Sequence, residues 1–127
     1  MSNRAIISTP DAPEAIGPYS QAIKVGNTVW LSGQIPLVPE TMEVVEGDVT
    51  AQATQVFQNL NAVARASGGT LDDAVKINIS LTDLTDFSAV NDVMASFLKA
   101  PFPARACVQV AALPRGAKVE VEAILSV

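Results

Sequence analysis

The sequence predicts an α+β fold, a mixed β-sheet with both of its helices on one face, in the order ββαβαββ. Three observations carry this: a hairpin signal near the start, two amphipathic helical stretches with a strand pattern between them, and two further strand patterns at the end. At 127 residues the chain is long enough for one hydrophobic core and too short for two, so residues 1–127 are read as a single domain.

Each element has its own signal. Residues 20–25 and 28–32 are β-compatible runs flanking Gly26-Asn27, a pair suited to the positive φ of a two-residue turn. Residues 5–8 suit a short extra strand. Residues 36–47 contain Pro36, Pro39 and Gly47 with little periodicity, which predicts a surface loop. From Val49, apolar Ala53, Val56, Phe57, Leu60, Val63 and Ala64 recur at spacings of three and four, with Asp48 placed to cap the start and Gly68-Gly69 to end it.

Residues 74–82 alternate Val75, Ile77, Ile79 and Leu81 against Lys76, Asn78 and Ser80, the period of a strand with one buried face. A second helix follows, with Asp86 as its expected cap and Pro101 and Pro103 beyond its end. In residues 104–110, Arg105, Cys107 and Gln109 share a face; in 118–125, Glu120 and Glu122 do. The short connection 111–117 predicts that these last two strands are antiparallel neighbours.

Composition narrows the function. Eight basic against thirteen acidic residues leave a net charge of −5 without a basic run, which disfavours nucleic-acid binding. Neither a signal-peptide pattern nor an apolar run near the ~20 residues that span a bilayer is present, so a cytoplasmic location is expected. With no His and the single Cys107, the chain lacks soft ligands for a zinc or iron site and the imidazole base of Ser-His-Asp or Cys-His mechanisms. Charged residues are only 17% while hydrophobic ones are 49%, and two helices cover one sheet face only. The other face therefore calls for a partner subunit.

Several residues could carry chemistry. Arg105, between Ala104 and Ala106, is costly in a strand unless it meets an anion. That anion is either Glu120 or Glu122 in an ion pair or a substrate carboxylate gripped in planar geometry. The two glutamates read as solvated edge residues, or as a group that orients water and takes its proton. Cys107 reads first as a small core residue, although a nearby Arg105 would lower its pKa. Ser32 and Gly33 close a strand as a polar contact and a point of close approach; Tyr19 either packs on the core or offers its hydroxyl to a ligand. Asn91 reads as a residue that bonds a loop backbone.

Taken in order, Ile16-Gly17-Pro18-Tyr19-Ser20-Gln21-Ala22, Leu31-Ser32-Gly33-Gln34-Ile35-Pro36, Leu81-Thr82-Asp83 with Phe87, Val90-Asn91, Pro103-Ala104-Arg105-Ala106-Cys107-Val108, Leu113-Pro114 and Val119-Glu120-Val121-Glu122-Ala123 resemble the Rid family of reactive-intermediate imine deaminases, also grouped under the YjgF/UK114 name. The resemblance runs along nearly the whole chain. It implies a chorismate-mutase-like fold and a homotrimer with sheets packed inward and sites between subunits. It also implies cofactor-free, metal-free hydrolysis of 2-imino acids such as 2-iminopropanoate and 2-iminobutanoate to 2-keto acids and ammonia. By the same matching, Arg105 would hold the substrate carboxylate and Glu120 the hydrolytic water, with the Cys107 backbone, Tyr19, Ser32, Gly33 and Asn91 shaping the pocket.

The chain departs from the family pattern in a short 92–102 segment, in Met94 and in Gln109, all of which bear on substrate range. The competing readings are a non-catalytic module that binds 2-keto acids and, with less support from so acidic a chain, a ribonuclease or translation inhibitor. A chorismate-type mutase would need cations that Arg4, Arg65 and Arg115 are not clearly placed to supply.

Overall fold

The computed structural model describes residues 3–127. Its elements are β1 (Arg4–Ile7), β2 (Ala22–Val25), β3 (Thr28–Gln34), α1 (Val49–Ala66), β4 (Ala74–Leu81), α2 (Phe87–Phe97), β5 (Ala104–Gln109) and β6 (Val119–Ser126). They build one six-stranded mixed sheet in the order β1-β2-β3-β6-β4-β5. The expected α+β architecture is present, with the extra strand at the start.

Local chemistry accounts for most boundaries. Gly26 turns the β2–β3 hairpin at φ 59°, bringing Val25 opposite Thr28. Asp48 caps α1 by accepting from the Ala51 amide at 3.0 Å, and Gly68 follows the helix at φ 98°. β3 runs past Ser32 to Gln34 because its register against β6 shifts between Leu31 and Gln34, an irregularity that falls on Ser32-Gly33. The 36–47 loop is more ordered than its sequence suggests, with an antiparallel bridge between Leu37 and Val44.

Two expectations are corrected. Asp86 stands at the start of α2 but makes no side-chain cap, because its own backbone is already helical at φ −81°, ψ −4°. Asp83 caps the preceding 3-10 turn instead, accepting from the Thr85 amide at 2.9 Å. The last two strands are antiparallel but not neighbours: β4 lies between them, parallel to β5 and antiparallel to β6. A strand spacing of about 4.8 Å makes this a gap of roughly 10 Å, which the connection 110–118 spans without difficulty. β4 takes the inner position because Ile77, Ile79 and Leu81 are wholly buried, whereas most of β5 is exposed and suits an edge.

The crossovers β3-α1-β4 and β4-α2-β5 advance in the same direction across the sheet, so a common handedness puts both helices on one face. There α1 packs on α2, β3 and β6, and the Phe57 and Phe97 rings stack at 5.7 Å. Val29, Leu31, Ile77, Ile79, Val119, Val121 and Leu125 meet these helices in the core. On the opposite face, in-register Ile6, Ile23, Trp30 and Ile124 form an apolar row across four strands, with Ile6 72% and Trp30 52% exposed.

Candidate functional site

The residues singled out from the sequence fall into two groups. Arg105 is opposite Ile77 on the helix-covered face of the edge strand β5. Its Nη1 donates to Asn91 Oδ1 at 2.5 Å, and its Cζ stands 4.8 Å from the centre of the Phe87 ring. Phe87 and Asn91 are one helical turn apart on α2, so a single helix face supplies both the stacking surface and the hydrogen-bond acceptor. Arg105 and Asn91 border a cavity of about 410 Å³ whose remaining wall is mainly apolar, including Met94, Leu98 and Phe102.

The expected alternative of an Arg105 ion pair with Glu120 or Glu122 is overturned. Glu120 is opposite Ser80 and Glu122 opposite Asn78, positions whose side chains point away from those of Ile77 and Arg105. β4 also separates the two strands. Asn91 serves the guanidinium rather than a loop backbone, and Arg105 forms no ion pair among the described residues. Its cradle neutralises none of its charge.

Glu120 belongs to a second cavity of about 610 Å³, shared with Tyr19, Ser32, Gly33 and Glu122. Gly33 lets the Glu120 carboxyl lie close against the β3 backbone: a Cβ there would stand 3.0 Å from the carboxyl carbon and 3.3 Å from Oε2, so a side chain at this position would shift the carboxylate. Burial pushes the Glu120 pKa up, and the nearby Glu122 charge pushes it further in the same direction. Asn78 Nδ2 donates to Glu122 Oε1 at 3.2 Å. The Ser32 hydroxyl donates to the Ser20 carbonyl at 2.5 Å, which leaves its oxygen only as an acceptor for a ligand. Tyr19 is exposed on the cavity rim, held by a tight turn in which its amide donates to the Gly17 carbonyl at 2.8 Å.

Cys107 is half-buried opposite Ile79, on the Arg105 side of the sheet. Its thiol is pushed up by burial, and the opposing pull of Arg105 does not overcome this. Arg105 does pull in the expected direction, but burial outweighs it, and Cys107 packs against the core as a small half-buried residue. Gln109 uses Oε1 to accept from the Leu84 amide at 2.9 Å, bracing the approach to α2. The sequence reading missed this, and also missed Phe87 beneath the guanidinium and Gln21 behind the Tyr19 loop. Gln21 is buried: its Oε1 accepts from the Thr9 amide at 2.7 Å and its Nε2 donates to the Thr9 and Pro13 carbonyls at 3.0 and 2.8 Å.

Comparison with known proteins places this geometry. The family model described as endoribonuclease L-PSP matches residues 9–127. A 2-iminobutanoate/2-iminopropanoate deaminase of Dermatophagoides farinae is 54% identical over 125 residues, covering 98% of each chain. A deaminase of the same name from Capra hircus is 48% identical over 121 residues, covering 95% of this chain and 88% of its own. Among solved structures, RidA from an Antarctic Psychrobacter is 57% identical with a TM-score of 0.93, covering 97% of this chain and 99% of its own. Escherichia coli TdcF, crystallised with bound serine, is 43% identical with a TM-score of 0.92, covering 97% and 98%. On this likeness of sequence and fold, the chain belongs to the Rid family.

Proposed function

We propose that this protein is a 2-imino acid deaminase, hydrolysing 2-iminopropanoate and 2-iminobutanoate to the 2-keto acids and ammonia. The observation that carries the reading is Arg105: a guanidinium with no ion pair among the described residues, set between Phe87 and Asn91 at the edge of a cavity. With Nη1 engaged by Asn91, Nη2 and Nε remain for a carboxylate, which matches guanidinium in planar, two-point geometry. The deaminase names of relatives that align over nearly the whole chain support the same reaction.

The chemistry asks little of the protein. A 2-aminoacrylate-type enamine tautomerises to an imine whose C2 is electrophilic. Water adds to C2 with one of its protons passing through Glu120 to the nitrogen. The resulting 2-amino-2-hydroxy acid then gives its hydroxyl proton to Glu120, which returns it to the amine as the C2–N bond breaks and C2=O forms, leaving ammonia and a ketone. The raised pKa of Glu120 brings its basicity closer to neutral pH, where accepting and returning a proton are both feasible. Gly33 lets the substrate and the carboxylate approach the backbone, while Ser32, Tyr19 and the Cys107 backbone complete the pocket. Water is the only co-reactant the reaction requires.

Arg105 and Glu120 point to opposite faces of one chain's sheet, so one substrate would touch both only between two copies. We read the molecule as a homotrimer with the apolar sheet faces inward and a site at each subunit boundary. The chain would then be one domain of 127 residues, acting in the cytoplasm. Nucleic acid remains a poor substrate for so acidic a chain, and among the described residues no helix is long and apolar enough to cross a membrane. The second reading, a carboxylate-binding module without turnover, is favoured by the completeness of the Arg105 cradle alone and by the serine bound to the relative TdcF.

The deciding experiment generates 2-aminoacrylate and its methyl homologue with a serine/threonine dehydratase and follows keto-acid release. Acceleration by the protein but not by its Arg105→Ala form is expected, a loss of about 100-fold or more. A folded protein that binds 2-oxobutanoate but does not accelerate release leaves the binding module.

A further inference from the structure

The Glu120 cavity has a wall to which the hydrolysis above assigns no role. Residues 36–45 fold back as a narrow ribbon, closed by the Leu37–Val44 bridge and by hydrogen bonds from the Val38 amide to the Glu43 carbonyl and from the Val45 amide to the Pro36 carbonyl, each 2.8 Å. Met42, near the ribbon's tip, lines the cavity. So does Arg115, which comes from the connection between β5 and β6.

The two meet: Arg115 Nη2 donates to the Met42 carbonyl at 3.2 Å, across a sequence separation of 73. They are also the two non-glycine residues with a left-handed backbone among those described, at φ 60° for Met42 and 61° for Arg115. Such backbone is unfavourable for a residue with a Cβ and persists where its surroundings impose it, commonly at ligand clamps. Arg115 forms no ion pair among the described residues, although Glu14, Glu120 and Glu122 border the same cavity. Its guanidinium is spent on a neutral carbonyl, which holds a wall in place rather than balancing charge.

We propose that Arg115 is a positioning residue that latches the 36–45 ribbon over the Glu120 cavity, so that Met42 bounds the space open to the substrate's side chain and restricts bulk water. The identity of that substrate rests on the deaminase reading; the latch rests on the geometry. Without the latch a bound imine leaves more readily before water adds, while the groups that act on it are unchanged. The kinetic signature is a raised KM with kcat nearly preserved.

The test compares the full-length protein with Arg115→Ala and Arg115→Lys, each checked for an unchanged melting temperature. In Arg115→Ala, amide hydrogen exchange at Val38 and Val45 should quicken about tenfold, since these amides close the ribbon. Binding of 2-oxobutanoate should weaken about fivefold, with KM for the imine rising similarly and kcat within about twofold. Arg115→Lys, which keeps a donor for the Met42 carbonyl, should recover most of each change. Unchanged exchange and binding in folded Arg115→Ala would overturn the latch, as would a fall in kcat at constant KM. If the unsubstituted protein hydrolyses no imine, the deaminase reading fails, while exchange and 2-oxobutanoate binding still decide the latch.

Discussion

A carboxylate that takes a proton from water works best when it is partly desolvated and unpaired, and Glu120, half-buried and without an ion pair among the described residues, is in that condition at the expense of stability. Its pKa is raised first by burial and then by Glu122, so the folded chain holds the proton more tightly than the unfolded chain does. The stability this proton provides is fully present below the unfolded pKa of about 4.3 and is lost as pH rises through the higher folded value. Above that folded value the ionised side chain is a net burden. Glu120→Gln should raise the melting temperature by about 1–3 °C at pH 7 and lose that advantage toward pH 4. The same variant should lose imine hydrolysis by about 100-fold or more, because the amide cannot accept water's proton. The unsubstituted protein should slow as pH falls through the raised pKa. Paired melts and keto-acid assays between pH 4 and 8 check all three; a melt indifferent to the substitution removes the trade-off. Arg105 shows what was legible at this scale. That it needs a partner could be read from its apolar neighbours, but that the partners are Asn91 and Phe87 of α2 rather than Glu120 or Glu122 depends on strand order and register, which a single sequence does not record.

The elements themselves were the most readable level, because their signals are local. The period of β4, the apolar stripe and Asp48 cap of α1 and the Gly26 turn are all decided within a few residues. Strand adjacency is decided by competition for the inner position, so the short link after β5 misled: β4, with three wholly buried side chains, takes the place beside β6. Loops were read least well, since their order comes from distant partners. The segment before β2 has no periodicity, yet buried Gln21 ties it down at Thr9, Ala12 and Pro13, and it carries Tyr19 to the cavity rim. Gln21→Leu fills a similar volume but leaves those backbone groups without partners, which should cost roughly 2–3 kcal/mol. Thermal unfolding should then fall by about 10 °C. Hydrogen exchange should quicken at Thr9, whose amide gives its hydrogen to Gln21. An unchanged melt would mean that water or neighbouring chain replaces the glutamine.

At the scale of the whole molecule, the open sheet face and the separation of Arg105 from Glu120 both bear on the proposed assembly. An apolar row through Ile6, Ile23, Trp30 and Ile124 has no helix over it among the described residues, and Arg105 and Glu120 face away from each other across the same sheet. The low charge content already pointed to a partner on that face, because two helices can cover only one side. In the proposed trimer each site joins Arg105 of one subunit to Glu120 of its neighbour, and this can be tested by mixing two inactive proteins. Arg105→Ala chains retain Glu120, and Glu120→Gln chains retain Arg105. After co-expression in equal amounts, a boundary regains both groups when the first kind of chain supplies the glutamate and the second the arginine. Random assembly places each kind correctly half the time, so activity should return to about one quarter of the unsubstituted level. Mass spectrometry of the intact assemblies confirms that chains have mixed. Mixed assemblies that stay inactive would mean that the two residues do not serve a shared site. Recovery near a quarter fixes the arrangement, because no site drawing both groups from one chain can regain what each chain lacks.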